Sequence, residues 1–378
     1  MKDSLPTVWP ADQHTEAKHR ILTAYLNAFM PILSRQSHKV GAKDVVRYID
    51  GFAGPGIYEK GQKGSPVLAL DAALNHAHSF PVPVELTFIE ADSDRCDVLS
   101  KQLELYDERV KQSPNVILKK PVCGDCRTVL GSMIDGIEQR RQKLGPALVF
   151  LDQFGYSSVS MELIGRILNH PQCEVLTYLF FRDLGRFITD TTKHASITNA
   201  FGDERWRPAI DLPAGKRESF MLAAYVSSLK EKAKATYVWP FAMLDQNERL
   251  LYWLFFCTNN IRGLEEMKKA MWKVDETGSF TFNDKDGFSQ PKFLSSYTED
   301  HLAKDLERGL AGRTLKVEDV NEWVLVHTPA YKFKGALATL EKRGVLKAVN
   351  PSPTRRAGQY SDEKMRVSFD NPPLFPMG

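Results

Sequence analysis

The run Asp50-Gly51-Phe52-Ala53-Gly54-Pro55-Gly56 joins an acid to three glycines. A phosphate, or the carboxylate and amino group of an amino acid, approaches the main chain closely only where side chains are missing. Gly51, Gly54 and Gly56 supply that gap behind residues 45–50, which read as a buried strand. Asp50 closes the strand, where it can engage a ligand amino group; a glycine-rich turn holding no ligand is the structural alternative. Glu90 ends the second expected strand, a position from which an acid accepts hydrogen bonds from ribose hydroxyls, or else is an exposed strand-end acid. It follows Gly54 by more than the ~20 residues of the dinucleotide fingerprint, and residues 58–66 supply the excess as a loop. Asp125, after the third strand, stands where an acid can meet an adenine amino group. Asp152 ends the fourth strand in Leu151-Asp152-Gln153-Phe154-Gly155-Tyr156. Its carboxylate suits the hydrogens of an amine, with Phe154 or Tyr156 as a stacking platform; the bland alternative is a cap on the next helix. Arg182, past the fifth strand, suits a phosphate clamp or a partner for Asp152, or is a surface arginine.

The glycine spacing, Gly51-x-x-Gly54-x-Gly56, is not the Gly-x-Gly-x-x-Gly of dinucleotide sites. Phe52 with Gly54 and Gly56 resembles the Phe-x-Gly-x-Gly motif of amino-methylating DNA enzymes, which use S-adenosylmethionine. Those enzymes carry Asp/Asn-Pro-Pro-Tyr/Phe where this chain has Asp152 to Tyr156, and neither proline is present here. Cys123-x-x-Cys126 invites a zinc or redox reading, but no second such pair exists and His14 and His19 are poorly spaced for one helix face. The cysteines therefore read as ordinary buried thiols, and no metal site is expected.

These residues need elements to position them. Apolar spacing through Ile21, Leu22, Leu26, Met30 and Leu33 predicts a helix over 11–33. Strands are expected at 45–50, 85–90, 116–122, 147–152 and 174–180, alternating with helices at 67–76, 94–105 and 128–143. That alternation predicts a parallel sheet covered on both faces. Residues 186–213 are polar and read as an irregular insertion. A helix at 216–234 precedes two apolar strands, 237–243 and 250–258, whose short connector suits an antiparallel hairpin. Five parallel strands ending in such a hairpin form the layout of class I S-adenosylmethionine-dependent methyltransferases, a Rossmann-like α/β fold. From about Tyr297, helices at 299–309, 316–325 and 330–342 and strands at 345–349 and 365–369 predict a C-terminal winged-helix domain. The expected organisation is a helical segment over 1–44, a methyltransferase-like domain over 45–290 and the winged helix over 297–378.

The chain has 378 residues, 43% hydrophobic and 26% charged, an ordinary globular composition. No apolar run approaches a membrane span and the N-terminus has no apolar signal core, so a cytoplasmic setting is expected. Net charge is only +3. Between residues 332 and 356, however, Lys332, Lys334, Lys342, Arg343, Lys347, Arg355 and Arg356 face a single acid, Glu341. This concentration on the expected third helix and wing suits contact with nucleic-acid phosphates; a protein-docking domain with solvated lysines is the alternative.

Further stretches carry a family resemblance: His14 to His19 with Ile21-Leu22, Tyr48 to Gly56, Gly64-Ser65-Pro66, Phe150-Leu151-Asp152, and Met267 to Asp275. Together they resemble the three-Cys-motif partner proteins of bacteria and phages, over nearly the whole chain. The resemblance implies a methyltransferase-type S-adenosylmethionine-binding fold and a radical-SAM-like partner that bears the eponymous cysteines. It also places Lys18 on a helix leaning over the cofactor, as a candidate for the methionine carboxylate. Relatives carry Asp-Pro-Phe-Gly where this chain has Asp152-Gln153-Phe154-Gly155, so the loop is expected to be looser here. The 267–275 block reads as a helix packing its Met and Trp face on the core. Three functions stay open. The first is an enzyme methylating an amino group of DNA or RNA, the second a non-catalytic nucleic-acid-recognition adaptor of that partner. The third is a metal-dependent nuclease or repair component using Asp50, Glu90 and Asp152.

Overall fold

The computed structural model describes residues 6–39, 45–153, 159–283, 297–352 and 354–370. They form two compact units, Met1–Val274 with Thr281–Ser289, and Asp275–Phe280 with Gln290–Gly378.

The first unit runs α1 (Gln13–Lys39), β1 (Val46–Asp50), α2 (Ser65–His76), β2 (Val84–Glu90), α3 (Ser93–Glu104), α4 (Asp107–Lys111), β3 (Val116–Leu118), β4 (Val122–Cys123), α5 (Cys126–Gln139), β5 (Ala147–Leu151), α6 (Met161–Leu168) and β6 (Cys173–Leu179). It continues with α7 (Phe181–Phe187), α8 (His194–Phe201), α9 (Ala214–Glu231), β7 (Tyr237–Leu244), β8 (Leu250–Thr258), α10 (Ile261–Trp272) and β9 (Thr281–Asn283). The nine strands form one sheet in the order β3-β2-β1-β5-β6-β8-β7-β9, with β4 also on β2. All pairings are parallel except those of β8, which lies antiparallel between β6 and β7. This mostly parallel sheet flanked by helices is compatible with a Rossmann-like fold. Strands β1, β5 and β6 are buried along nearly their whole length, as in a sheet covered on both faces. Helix α1 packs on α2 and α10, burying Ala17, Ile21, Leu22, Tyr25, Leu26, Phe29 and Met30. Each large apolar side chain so buried contributes about 1.5–3 kcal/mol.

Three expectations are corrected here. The stretch at 186–213 is not irregular: α8 and short 3₁₀ turns bury Ile197, Phe201, Trp206 and Ala209, and the Trp206 indole donates to Thr198 at 3.0 Å. Its helices are too short for a polar stretch to reveal their period. The third strand is split into β3 and β4, because Pro121 lacks an amide donor for the ladder. Both pieces still pair with β2. The cysteines are not all free thiols: Cys96 on α3 and Cys123 on β4 form a disulfide. Only Cys126 of the Cys-x-x-Cys pair is a buried thiol, and burial pushes its pKa up to about 12.

The second unit contains α11 (Glu299–Gly309), β10 (Thr314–Lys316), α12 (Val317–His327), α13 (Lys334–Lys342), β11 (Leu346–Val349) and β12 (Arg366–Phe369). Its three strands pair antiparallel in the order β10-β12-β11. Leu302, Leu306, Val320, Val324, Leu337, Leu340, Leu346 and Val367 form its core. Strands β9 and β10, three residues each, carry no sequence signal of their own.

Candidate functional site

Strand order reverses between β1 and β5, since β1 continues toward β2 and β5 toward β6. Ligands of open α/β sheets bind at such switch points, beyond the C-terminal strand ends. The glycine loop leaves β1 and Asp152 follows β5 at this place. Gly54 and Gly56 hold φ of 62° and 75°, which side-chain-bearing residues rarely adopt. Gly56 also lets the chain double back: the Gly64 amide donates to its carbonyl at 2.8 Å. Gly51 serves packing instead, because a Cβ there would lie 2.5 Å from the Cys126 sulfur.

Above the loop lies a cleft of about 260 Å³. Trp9, Asp12, Thr15 and Lys18 form one side, and Phe52 through Tyr58 with Gly64 and Ser65 form the floor. Asp152, Phe180 and Tyr252 complete it. Phe180 and Tyr252 are tilted neighbours with ring centroids 5.0 Å apart. Ser65 and Pro66 begin α2, so the positive end of that helix opens on the cleft. The site is therefore amphipathic: aromatic walls, a cation–carboxylate pair and a helix N-terminus that favours a carboxylate or phosphate.

The structure brings Lys18 and Asp152 together rather than Asp152 and Arg182. The Lys18 ammonium pairs with the Asp152 carboxylate and lies 5.4 Å from the Tyr178 ring centroid. Both groups are largely shielded, at 10% and 22% side-chain exposure, so the pair is not a weak surface contact. Arg182 is exposed on α7 and its charge acts on Asp245 of the β7–β8 turn. His19, next to Lys18, is held neutral: burial, with the Lys18 charge, pushes it down to about 3.

Asp50 is buried beneath the loop and does not line the cleft. It accepts from the Ser65 hydroxyl at 2.7 Å, the Phe52 amide at 3.1 Å and the Tyr48 hydroxyl at 3.3 Å. Burial raises it to about 7, partly offset by these bonds, with Asp152 adding to the rise. Its observed work is to brace the loop, which corrects its assignment to a ligand amino group. Glu90 also braces: one oxygen accepts from the Gly54 amide at 2.8 Å, the other from the Asp92 amide at 2.9 Å. Asp125 is exposed and caps α5, accepting from the Thr128 amide at 3.0 Å. Phe154 and Tyr156 lie outside the described residues.

Gln153 is 2% exposed. Its side-chain amide donates to the Tyr178 carbonyl at 3.2 Å and its oxygen accepts from the Val159 amide at 2.8 Å. Where a proline would only restrict the backbone, this glutamine bridges β6 and Val159; the loop expected to be looser lies, from 154 to 158, outside the described residues.

The nuclease alternative would need Asp50, Glu90 and Asp152 to share a metal ion. They are engaged separately, and the described residues contain no group of three or more His, Cys, Asp or Glu side chains placed to hold a metal ion.

In the second unit the basic residues divide. Lys332, Lys334, Lys342 and Arg356 are exposed. Arg343 pairs with Asp300 and Lys347 with Asp370, at 2.8 and 2.9 Å, both at the surface. Arg355 is removed from the candidate interface. Its guanidinium grips Glu341 at 2.8 and 2.7 Å and is 10% exposed. Glu341 also accepts from the Gly358 amide and the Tyr360 hydroxyl, at 2.7 and 2.8 Å, and Arg355 holds its carboxyl down at about 2.

Sequence reasoning missed Trp9, Asp12, Thr15, Tyr58, Phe180 and Tyr252. They come from four parts of the chain, the 9–15 segment, the loop at 58, the end of β6 and β8, and no motif joins those parts. No family model and no curated protein matches this chain. Among the described residues, no helix is long and apolar enough to cross a membrane.

Proposed function

We propose that the first unit is a class I methyltransferase-type domain that binds S-adenosylmethionine, and that the protein methylates an amino group of a nucleic acid together with a radical-SAM-like three-Cys-motif partner. One observation carries the reading: the amphipathic cleft sits at the β1/β5 switch point, in a sheet whose β8 runs antiparallel between β6 and β7. The residues present fit the cofactor's two ends differently. The α2 N-terminus and the Gly56 end of the loop suit a methionine carboxylate. Glu90 keeps free lone pairs for ribose hydroxyls beside its two backbone bonds.

Bound there, S-adenosylmethionine would supply a methyl group on a positively charged sulfur. Asp152 would then hold an acceptor amine by its hydrogens, taking over from the Lys18 ammonium that now neutralises it. Phe180 and Tyr252, already in ring contact, would form one aromatic wall beside a planar base, the role assigned from sequence to Phe154 or Tyr156. The second unit, three helices with a three-stranded antiparallel sheet, suits a winged-helix reading. Its exposed Lys332, Lys334, Lys342 and Arg356 would meet phosphates.

Transfer of labelled methyl groups to total DNA and RNA tests the enzyme reading, with wild type and Asp152→Ala compared. Transfer that needs Asp152 is expected. The adaptor reading is favoured by one observation, the Lys18–Asp152 pair that already satisfies the acceptor group. Absent transfer with intact nucleic-acid binding would establish it instead.

A further inference from the structure

The segment ahead of α1 crosses the cofactor loop. The Trp9 ring lies over Gly54, where a Cβ would sit 3.6 Å from its edge. The Arg95 guanidinium stacks on the indole at 4.9 Å, and the Tyr58 ring meets it edge-on at 6.0 Å. Both ends of the segment are fastened. The Pro6 carbonyl accepts from Arg95 at 3.5 Å, and the Trp9 carbonyl from the Glu59 amide at 3.1 Å. Asp12 then accepts from the Thr15 amide at 2.6 Å, at the start of α1.

The place the indole takes is informative. Gly54 is bonded to Glu90, the acid at the end of β2, and Arg95 lies in the first turn of α3 just beyond it. The ring thus stands above the ends of β1 and β2, beside the acid that would hold a ribose. An indole is a flat fused bicycle of nearly the size of a purine, and a cation stacked on its face is a contact a purine can also make. With the indole in place the cleft measures about 260 Å³, below the roughly 300–1,000 Å³ of sites that enclose a small ligand.

We infer that Trp9 is a built-in tenant of the purine position, so that residues 6–12 form a strap which a nucleoside cofactor must displace to bind. The inference rests on the cofactor reading above. The closed strap lowers apparent affinity by the fraction of molecules in which it is open. Removing the indole is worth a tenfold or larger gain in affinity, since the Arg95 stack and the Tyr58 edge contact that hold the strap closed go with it.

The test is calorimetric titration of the full chain with S-adenosylhomocysteine, comparing wild type, Trp9→Ala, Trp9→Phe and a chain lacking residues 1–9. Circular dichroism and thermal unfolding confirm that each variant is folded. Trp9→Ala and the truncated chain are expected to bind at least tenfold more tightly, and Trp9→Phe to stay near wild type. Equal or weaker binding by Trp9→Ala and the truncated chain makes Trp9 a wall of the site and overturns the strap while leaving the cofactor reading intact. No binding by any folded variant overturns both.

Discussion

Arg355 separates charge that holds the fold from charge that is free to meet a ligand. Replacing it with alanine removes two charge-assisted hydrogen bonds to Glu341 and a stack on Tyr360 at 5.0 Å. At 10% and 16% exposure the pair is shielded, and truncation leaves a carboxylate with only the Gly358 amide and Tyr360 hydroxyl to satisfy it. The full cost of breaking a buried pair is about 3–5 kcal/mol. The two remaining donors reduce it here to about 2–3 kcal/mol. The loss falls on the link between α13 and the 350–364 loop, so amide hydrogen exchange is the suitable assay. Amides of 334–342 and 346–349 should exchange roughly 30- to 150-fold faster in Arg355→Ala, at about 1.4 kcal/mol per factor of ten. Arg355→Lys should recover little, because an ammonium cannot bridge both oxygens. Arg356→Ala, its exposed neighbour, should leave exchange unchanged and weaken binding to nucleic acid. Unaltered exchange in Arg355→Ala would refute the claim that this arginine is structural.

Gln153→Ala strands the Val159 amide and the Tyr178 carbonyl, and should destabilise the first unit by about 2–3 kcal/mol, seen as a lower Tm and rapid exchange at Val159; an unchanged Tm would count against the clamp. Asp50 and Glu174 are buried acids each pushed up to about 7. The native state therefore binds more protons than the unfolded chain between about pH 4 and 7, and stability falls as pH rises through that window. Asp50→Asn should gain on wild type at pH 8 relative to pH 5 by a few kcal/mol at most in urea unfolding, and equal behaviour at both pH values would show that Asp50 is not held protonated. The Cys96–Cys123 disulfide closes a 27-residue separation, for which chain entropy suggests about 3.5 kcal/mol. A reducing agent should lower the urea midpoint of wild type but not of Cys123→Ser, and an insensitive wild type would remove the cross-link from the account.

The centre of the sheet was legible because its strands are short, largely apolar runs ending in punctuation: Asp50 before the glycines, Glu90 before a helix cap, Asp152 after β5. Gly54 and Gly56 were legible for a local reason, since positive φ selects glycine. The acids were placed at the right strand ends, but two of them are occupied with the protein's own groups. Sequence cannot tell that Asp50 turns inward to Ser65, or that Asp125 caps its own helix. The same limit hid the Lys18–Asp152 pair, whose members are 134 residues apart. Arg355 was misread because counting charge along the chain does not reveal a partner across a loop. The aromatic walls were invisible because Trp9, Tyr58, Phe180 and Tyr252 are isolated residues that only the fold gathers.

Calorimetric titration of the full-length wild-type chain with S-adenosylmethionine tests the central claim most directly. The cleft at the β1/β5 switch point predicts saturable binding of one molecule per chain, displaced by S-adenosylhomocysteine and weakened by Phe52→Ala at the floor of the site. No heat of binding at millimolar S-adenosylmethionine, in wild type and equally in the strap-released Trp9→Ala chain, would contradict it.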